Sequence, residues 1–143
     1  MKIRPPSDAE QTLWPTTVIV PINEKFTDER GQIIPLSDLT MDSAVMIESK
    51  QDTVRANHYH QTDWHLCYVI SGSINYYHRP HGSEETPELV HVKTGELFFT
   101  PPLVDHAMVF PEDTVFLTLG RNSRSQEVYE SDVVRIPPIQ HQS

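Results

Sequence analysis

The sequence predicts an all-β domain, a sandwich or a barrel, from three observations. Runs of about four to eight residues rich in Val, Ile, Phe, Tyr and Thr alternate with Gly, Pro, Asn, Asp and Ser. Twelve prolines are scattered through the 143 residues, which leaves almost no room for a long helix. No stretch longer than about ten residues has a convincing helical period. We therefore expect one β-rich domain, long enough to bury a substantial core.

The predicted strands follow one another along the chain at 17–21, 32–36, 43–49, 53–60, 64–71, 73–79, 88–93, 96–100, 106–110, 114–120 and 133–136. The intervening segment 79–88, RPHGSEETPE, is expected to be an exposed loop. Residues 17–136 then form the β-barrel domain. Residues 1–16 and 137–143 are expected to be arms or disordered ends.

Composition and charge exclude several classes of partner. Eleven basic and twenty acidic residues give a formal net charge of −9 without any Lys/Arg run, so binding to nucleic acid or to an anionic membrane surface is not expected. No apolar run approaches about 18 residues. Cys67 is the only cysteine, so an internal disulfide is impossible. We expect a cytoplasmic protein with a small-molecule substrate.

Three histidines crowd into the stretch RANHYHQTDWHLCYVISG, residues 55–72. Residues i and i+2 of a strand project from the same face about 6.6 Å apart, so His58 and His60 point the same way. If the two strands of this stretch pair antiparallel, His65 lies close to them and faces the barrel interior. Gly72 is expected to end the second strand and allow a tight turn into the next one.

A second group of residues lies in GELFFTPPLVDHAMVF, residues 95–110, where His106 opens an apolar run. Together the two stretches resemble the cupin superfamily, whose motifs read G-x5-H-x-H-x(3,4)-E-x6-G and G-x5-P-x-G-x2-H-x3-N. The first motif is met by the three histidines and Gly72, and the second by Gly95, Pro101 and His106. The resemblance implies a single-domain cupin, a double-stranded β-helix or jelly-roll barrel.

The chain departs from these motifs at four positions, namely Asp52 for the opening Gly, His65 for Glu, Leu103 for Gly and Phe110 for Asn. The resemblance implies that His58, His60 and His106 bind one divalent metal. We expect His65, which stands where the carboxylate would be, to complete the set as a fourth ligand. The alternative is that His65 is a base beside a three-histidine site. Imidazole ligands favour Zn²⁺, Fe²⁺, Ni²⁺ or Cu²⁺ over Mg²⁺ and Ca²⁺.

The segment KFTDERGQIIPL, residues 25–36, carries a D-x-R-G turn before an apolar strand. With Arg55, the two histidines of H-x-H and Ser71-Gly72-Ser73, it resembles the cupins that act on nucleotide-linked keto-sugars. These are the dTDP-4-dehydrorhamnose 3,5-epimerase and dTDP-sugar 3,4-ketoisomerase types. The turn is equally compatible with an ordinary charged β-turn.

The sugar-enzyme resemblance implies proton abstraction next to a carbonyl. The candidate base is His60, or else His58. Tyr76 is the candidate acid, and Tyr77 is either the acid instead or a contact to the substrate. Arg30 and Arg55 are the candidate diphosphate ligands. Because one histidine cannot easily be both ligand and base, His65 and His106 favour the metal-binding alternative.

The function that the sequence favours is therefore a metal-binding isomerase or epimerase of a carbohydrate-type substrate, with a nucleotide-linked keto-sugar as one candidate. One alternative is a metal-dependent dioxygenase, in which Fe²⁺ on three or four histidines activates O₂. Another is a non-catalytic module that binds a small molecule. The resemblance also implies a homodimer, because cupins commonly pair through their N-terminal strands and edge strands need cover.

Overall fold

The structure, a computed structural model, describes residues 3–142, within which lie twelve strands and two short helices. The strands are β1 (Ile19–Val20), β2 (Phe26–Asp28), β3 (Gly31–Ile33), β4 (Ser43–Ser49), β5 (Val54–His60), β6 (His65–Ser71), β7 (Ser73–Pro80), β8 (Glu88–Lys93), β9 (Leu97–Thr100), β10 (Val104–Val109), β11 (Thr114–Gly120) and β12 (Val133–Arg135). The helices are α1 (Asp8–Gln11) and α2 (Gln126–Asp132). Every predicted strand overlaps an observed one, whereas β2 and the two helices were not predicted.

Two five-stranded antiparallel sheets form the body of the fold and confirm the all-β prediction. The first sheet has the order β1-β9-β6-β11-β4, and the second has the order β12-β5-β10-β7-β8. Inward side chains of both sheets make the main core, which includes Val69, Phe98, Phe116, Ile74, Tyr76 and Val92. Strands β2 and β3 pair only with each other, as a separate hairpin.

The two strands that carry the first three histidines do not pair with each other, so that expectation is wrong. Strand β5 lies between β12 and β10, and β6 lies between β9 and β11 in the other sheet. The segment 61–63 carries the chain across the interior from one sheet to the other. His65 nevertheless faces His60, with 4.7 Å between the ring centroids, because the two strand ends oppose each other.

Gly72 marks a second crossing between the sheets rather than the hairpin turn that the sequence suggested. It joins β6 of the first sheet to β7 of the second, and its φ is +89°. A Cβ at this position would collide with the carbonyl oxygen of Asp113 and the side-chain oxygen of Thr114. Glycine is therefore required here both by the backbone conformation and by the lack of space.

Both chain ends are packed where the structure describes them. Trp14 of the N-terminal arm packs against Phe99, at 5.9 Å between ring centroids. At the other end Ile139 is buried, and its backbone N–H donates to the side-chain oxygen of Asn57. The parts of the predicted arms at residues 1–2 and 143 lie outside the described residues.

No helix within residues 3–142 is long and apolar enough to cross a membrane. The homodimer and the cytoplasmic location stay predictions. The outer face of the first sheet exposes Met46 and Ile70, with 56% and 43% of their surface accessible.

The crossing at Gly72 predicts a large loss of stability for Gly72→Ala. The positive φ costs an alanine about 1 kcal/mol, and the collision with Asp113 and Thr114 raises the total to about 3 kcal/mol. Gly82→Ala is the matched control, because Gly82 has a φ of +90° but no atom within 4 Å of the added Cβ. Urea unfolding of both variants measures the difference. Equal losses would contradict the steric part of the explanation.

Candidate functional site

Three histidines of the second sheet converge inside the barrel. His58 and His60 come from β5, and His106 comes from the neighbouring β10, where it is the register partner of His58. The ring centroids lie 4.8 Å apart for His58 and His60, 4.8 Å for His58 and His106, and 5.9 Å for His60 and His106. One ring nitrogen of each lies within 4.8 Å of the others. The structure thus brings together three of the four histidines that the cupin motifs pointed to.

A backbone irregularity precedes the histidine pair on β5. Ala56 and Asn57 both have a left-handed conformation, with φ of 72° and 55°, and the register with β10 shifts beside them. The C-terminal segment supports this conformation, because the backbone N–H of Ile136 donates to the carbonyl of Asn57. Such bulges re-aim the side chains that follow. Here the following side chain is that of His58.

Hydrogen bonds fix which ring nitrogens carry protons. Nδ1 of His60 lies 3.1 Å from a carboxylate oxygen of Asp132, and Nδ1 of His106 lies 3.0 Å from the carbonyl oxygen of Val104. Since a carbonyl and an ionised carboxylate only accept, both Nδ1 atoms donate, which leaves the lone pair on Nε2. Nε2 of His60 is buried and has no hydrogen-bond partner. A metal ligand has this pattern, with its other nitrogen held by a carboxylate or carbonyl.

The surroundings keep the three rings neutral. Burial, together with the neighbouring histidines, lowers the pKa of His106 to about 3 and holds the pKa of His58 far below its usual range. Burial also lowers the pKa of His60, although the bond to Asp132 opposes the shift. Neutral imidazole is the form that binds a metal ion. The donor set of three imidazole nitrogens therefore fits a divalent transition metal.

His65 belongs to a separate pair on the first sheet. Its Nε2 lies 2.9 Å from a carboxylate oxygen of the buried Asp63, to which it donates. This bond leaves Nδ1 as the basic nitrogen. The ring lies against His60, but none of its nitrogens joins the close group formed by the other three histidines. His65 also lines the cavity, whereas His60 does not.

The cavity lies between the sheets and encloses about 160 Å³. His58, His65 and His106 line one part of it. The opposite walls are more apolar, and Ser43 and Thr118 add hydroxyl groups. The other lining residues are Val45, Ile47, Ala56, Cys67, Met108, Arg55, Arg124 and Tyr129. The cavity thus offers three histidines and two guanidinium groups to one small molecule.

Arg55 is the one predicted substrate-binding residue that lines this cavity. Its guanidinium donates to the side chain of Ser49, at 2.7 Å, and to the backbone carbonyl of Glu48. These two bonds hold its orientation toward the sheet edge. Free N–H groups remain for a ligand, because guanidinium has five donors.

Three other predicted residues do not lie at the cavity, and their assignments are corrected. Tyr76 is buried in the core, and its hydroxyl accepts from Thr100 at 2.8 Å. Burial raises the pKa of Tyr76 further above its usual value. Tyr77 is the next residue along β7 and therefore projects from the other face of the sheet. Arg30 lies on the β2–β3 hairpin, paired with Asp28 at 2.6 Å and 80% exposed.

Helix α2 brings functional groups that the sequence analysis missed. Its Tyr129 lines the cavity with the ring 5.7 Å from that of His60, and the guanidinium of Arg124 lies 3.7 Å above the Tyr129 ring. Burial raises the pKa of Tyr129, although Arg124 opposes the shift, so the hydroxyl keeps its proton at neutral pH. The apolar residues of this helix, QEVYESD, are Val128 and Tyr129 alone, so its sequence carries no amphipathic signal.

Comparison with known proteins gives matches among solved structures. No family model and no curated sequence matches the chain. The 3,4-ketoisomerase QdtA from Thermoanaerobacterium thermosaccharolyticum is 18% identical, with a TM-score of 0.68 over 86% of this chain and 89% of that one. A 3,4-ketoisomerase from Helicobacter canadensis is 16% identical, with a TM-score of 0.67 over 80% and 86%.

A dTDP-4-dehydrorhamnose 3,5-epimerase from Sulfolobus tokodaii is 15% identical, with a TM-score of 0.63 over 75% of this chain and 71% of that one. At such identities the likeness concerns the fold. The similar structures are RmlC-like cupins, as the two histidine motifs led us to expect. The chain therefore has the RmlC-like cupin fold.

Proposed function

We propose that this protein is a metal-dependent isomerase or epimerase of a carbohydrate-type substrate, with nucleotide-linked keto-sugars as the favoured class. The observation that carries the proposal is the separation of two kinds of histidine in one site. Both are paired with a carboxylate, but His60 presents a buried, unpartnered Nε2 to His58 and His106, whereas His65 lies outside that close group and lines the cavity. The first arrangement suits metal binding, and the second suits proton transfer.

His58, His60 and His106 would hold the metal, and a divalent ion there supplies a Lewis acid that polarises a carbonyl or hydroxyl oxygen of the substrate. The geometry favours a base role for His65 over a fourth ligand position, because neither of its ring nitrogens joins the close group formed by His58, His60 and His106. His60 is not proposed as the base, because it is 1% exposed and does not line the cavity.

Proton transfer is assigned to His65 and Tyr129. Nδ1 of His65 takes a proton from the carbon next to the carbonyl, and the carboxylate of Asp63 stabilises the resulting imidazolium. The hydroxyl of Tyr129 delivers a proton to the substrate. Return of a proton to the same carbon from the opposite side gives an epimer. Return to the former carbonyl carbon gives an isomer, provided that the neighbouring hydroxyl loses its proton and the former carbonyl oxygen gains one. Proton exchange with solvent then restores neutral His65 and protonated Tyr129. The apolar walls near Met108 and Ile47 limit access of water.

The substrate class rests on the two arginines and on the proteins of the same fold. Arg55 and Arg124 line the cavity, and guanidinium groups bind phosphate oxygens with paired hydrogen bonds. QdtA has been solved with TDP and, as a variant, with TDP-4-keto-6-deoxyglucose. A keto-sugar offers the acidic C–H next to a carbonyl that the proposed base requires.

The apolar part of the cavity favours one alternative function. Val45, Ile47 and Met108 form a wall without hydrogen-bonding groups, which suits a small apolar substrate better than a sugar. Three imidazole ligands also suit Fe²⁺, so the alternative is an iron-dependent dioxygenase. The remaining alternative is a non-catalytic protein that binds a small molecule. The experiments below would then detect binding without turnover.

The metal assignment predicts which histidines control metal content. Protein purified without a tag is expected to contain one divalent transition metal per chain, and Co²⁺ affinity is expected to fall more than about 100-fold in His60→Ala and His106→Ala. His65→Ala should retain Co²⁺ binding, because His65 is not among the proposed ligands. His91→Ala is the surface control, since His91 is exposed and bonded to Asn75.

Two results of that titration would contradict the ligand assignment. An unchanged Co²⁺ affinity in His106→Ala would exclude the three-histidine site. A loss in His65→Ala as large as that in His106→Ala would make His65 a fourth ligand and remove the proposed base.

The proton-transfer assignment predicts exchange of hydrogen between substrate and solvent. Incubation with TDP-4-keto-6-deoxyglucose in D₂O should place deuterium next to the carbonyl, as followed by NMR. His65→Asn and Tyr129→Phe should each slow the exchange or product formation about 100-fold while the metal content stays unchanged. Tyr77→Phe serves as control, because Tyr77 does not line the cavity. Stoichiometric iron with O₂ uptake and no deuterium incorporation would support the dioxygenase instead.

A further inference from the structure

A buried arginine connects the N-terminal arm to the centre of the site. Nε of Arg121 donates to a carboxylate oxygen of Glu10 at 2.7 Å, and the side chain of Arg121 is only 6% exposed. Another N–H of the same guanidinium donates to the second oxygen of Glu10 at 3.4 Å. The opposite edge of the guanidinium donates to the backbone carbonyl of Thr62, at 3.3 Å, and to the side-chain oxygen of Asn122, at 3.0 Å. Four hydrogen bonds thus fix this one group.

Glu10 is itself held in place by the arm. It is the third residue of α1, where it forms a capping box with Ser7, and Arg4 donates to it at 2.6 Å. The hydrogen bonds from Arg121 and Arg4 lower the pKa of Glu10 to about 2, so the carboxylate stays ionised at neutral pH. The capped turn therefore presents a fixed negative charge to Arg121.

From Arg121 the hydrogen bonds continue to both histidine–carboxylate pairs. Asn122 donates through its backbone N–H to Asp63, at 2.9 Å, and through its side chain to the hydroxyl of Thr62, at 3.0 Å. Thr62 in turn donates to Asp132 through its hydroxyl, at 2.6 Å, and through its backbone N–H, at 2.8 Å. Asp63 and Asp132 are the partners of His65 and His60 respectively.

We infer that Arg121 and Glu10 are positioning residues, through which the N-terminal arm sets the orientation of the His60 and His65 rings. Neither residue touches the three ligand histidines. Arg121 bonds directly to the segment 61–63, and Glu10 holds Arg121 in place. The backbone of this segment sets the position of Asp63 and the hydrogen bonds from Thr62 to Asp132. Loss of the guanidinium would leave the carbonyl of Thr62 and the side chain of Asn122 without a donor, and the segment would shift to find one.

The first experiment reads the ring protonation of the metal-free protein. Nitrogen-15 NMR of the histidine rings is expected to show a proton on Nδ1 of His60 and on Nε2 of His65 in the wild type. Arg121→Lys keeps the positive charge but loses the planar guanidinium group with its several N–H donors. In this variant the ring signals of both histidines should shift toward a mixture of tautomers. Glu10→Gln should shift them in the same direction by less, because the amide oxygen still accepts.

The second experiment measures Co²⁺ affinity and rests on the metal site of the proposed function. Arg121→Lys is expected to weaken Co²⁺ binding about tenfold and Glu10→Gln about threefold. The double variant should bind no more weakly than Arg121→Lys alone, because the two residues act as one unit. Asp28→Asn is the matched control, since it weakens the ion pair with the exposed Arg30 on the separate β2–β3 hairpin and should change neither readout.

The outcomes separate the inference from the proposed function. Variants that unfold at lower temperature but keep the wild-type ring signals and Co²⁺ affinity would overturn the inference, because Arg121 would then only brace the fold. If the variants shift the ring signals but the wild-type protein binds no Co²⁺, the inference is supported and the metal site is overturned. If Arg121→Lys does not fold, Glu10→Gln carries the test, since Glu10 is partly exposed and the change is isosteric.

Discussion

The carboxylate of Asp132 is the group on which the geometry of the site depends. It is buried and accepts four hydrogen bonds, from Nδ1 of His60, from the backbone and hydroxyl of Thr62, and from the backbone of Asp63. Burial by itself would raise the pKa of Asp132, but the bonds from His60 and Thr62 prevail and lower it, so the group stays ionised. One side chain at the end of α2 thus orients a ring on β5 and holds the chain where it crosses to β6.

The two facing sheets allow neighbouring histidines to differ in chemistry. His60 and His65 lie in ring contact, yet each is bonded to its own carboxylate and comes from a different sheet. Asp132 accepts a hydrogen bond from Nδ1 of His60, and Asp63 accepts one from Nε2 of His65. The nitrogen that keeps its lone pair is therefore Nε2 in His60 but Nδ1 in His65. A site built from one strand alone would repeat the same orientation at each second residue. Under the proposed function, this removes the conflict of asking one histidine to be both ligand and base.

The strands could be predicted from short-range patterns in the sequence, and the histidine group from its resemblance to the two cupin motifs. Alternation and turn residues locate β4, β8 and β11 to the residue, and the motif spacing selects His58, His60 and His106. Asp132 could not be found in this way, since it lies 72 positions from His60 and only the tertiary fold brings the two together. Tyr76 and Tyr77 were both candidate acids, and the resemblance did not decide between them. The register pairs Tyr76 with Met108, two residues along β10 from His106, and Tyr76 is buried in the core.

The left-handed residues before His58 have a consequence for how the protein is made. Their conformation is supported by hydrogen bonds from Ile136 and Ile139, and the orientation of the His60 ring depends on its hydrogen bond to Asp132. All three of these partners are translated long after the histidines themselves. A ribosome-bound chain that has released β5 and β6 therefore exposes His58, His60 and His65 without the groups that orient them. The centre therefore takes its final shape only after α2, β12 and the segment up to Ile139 have been made.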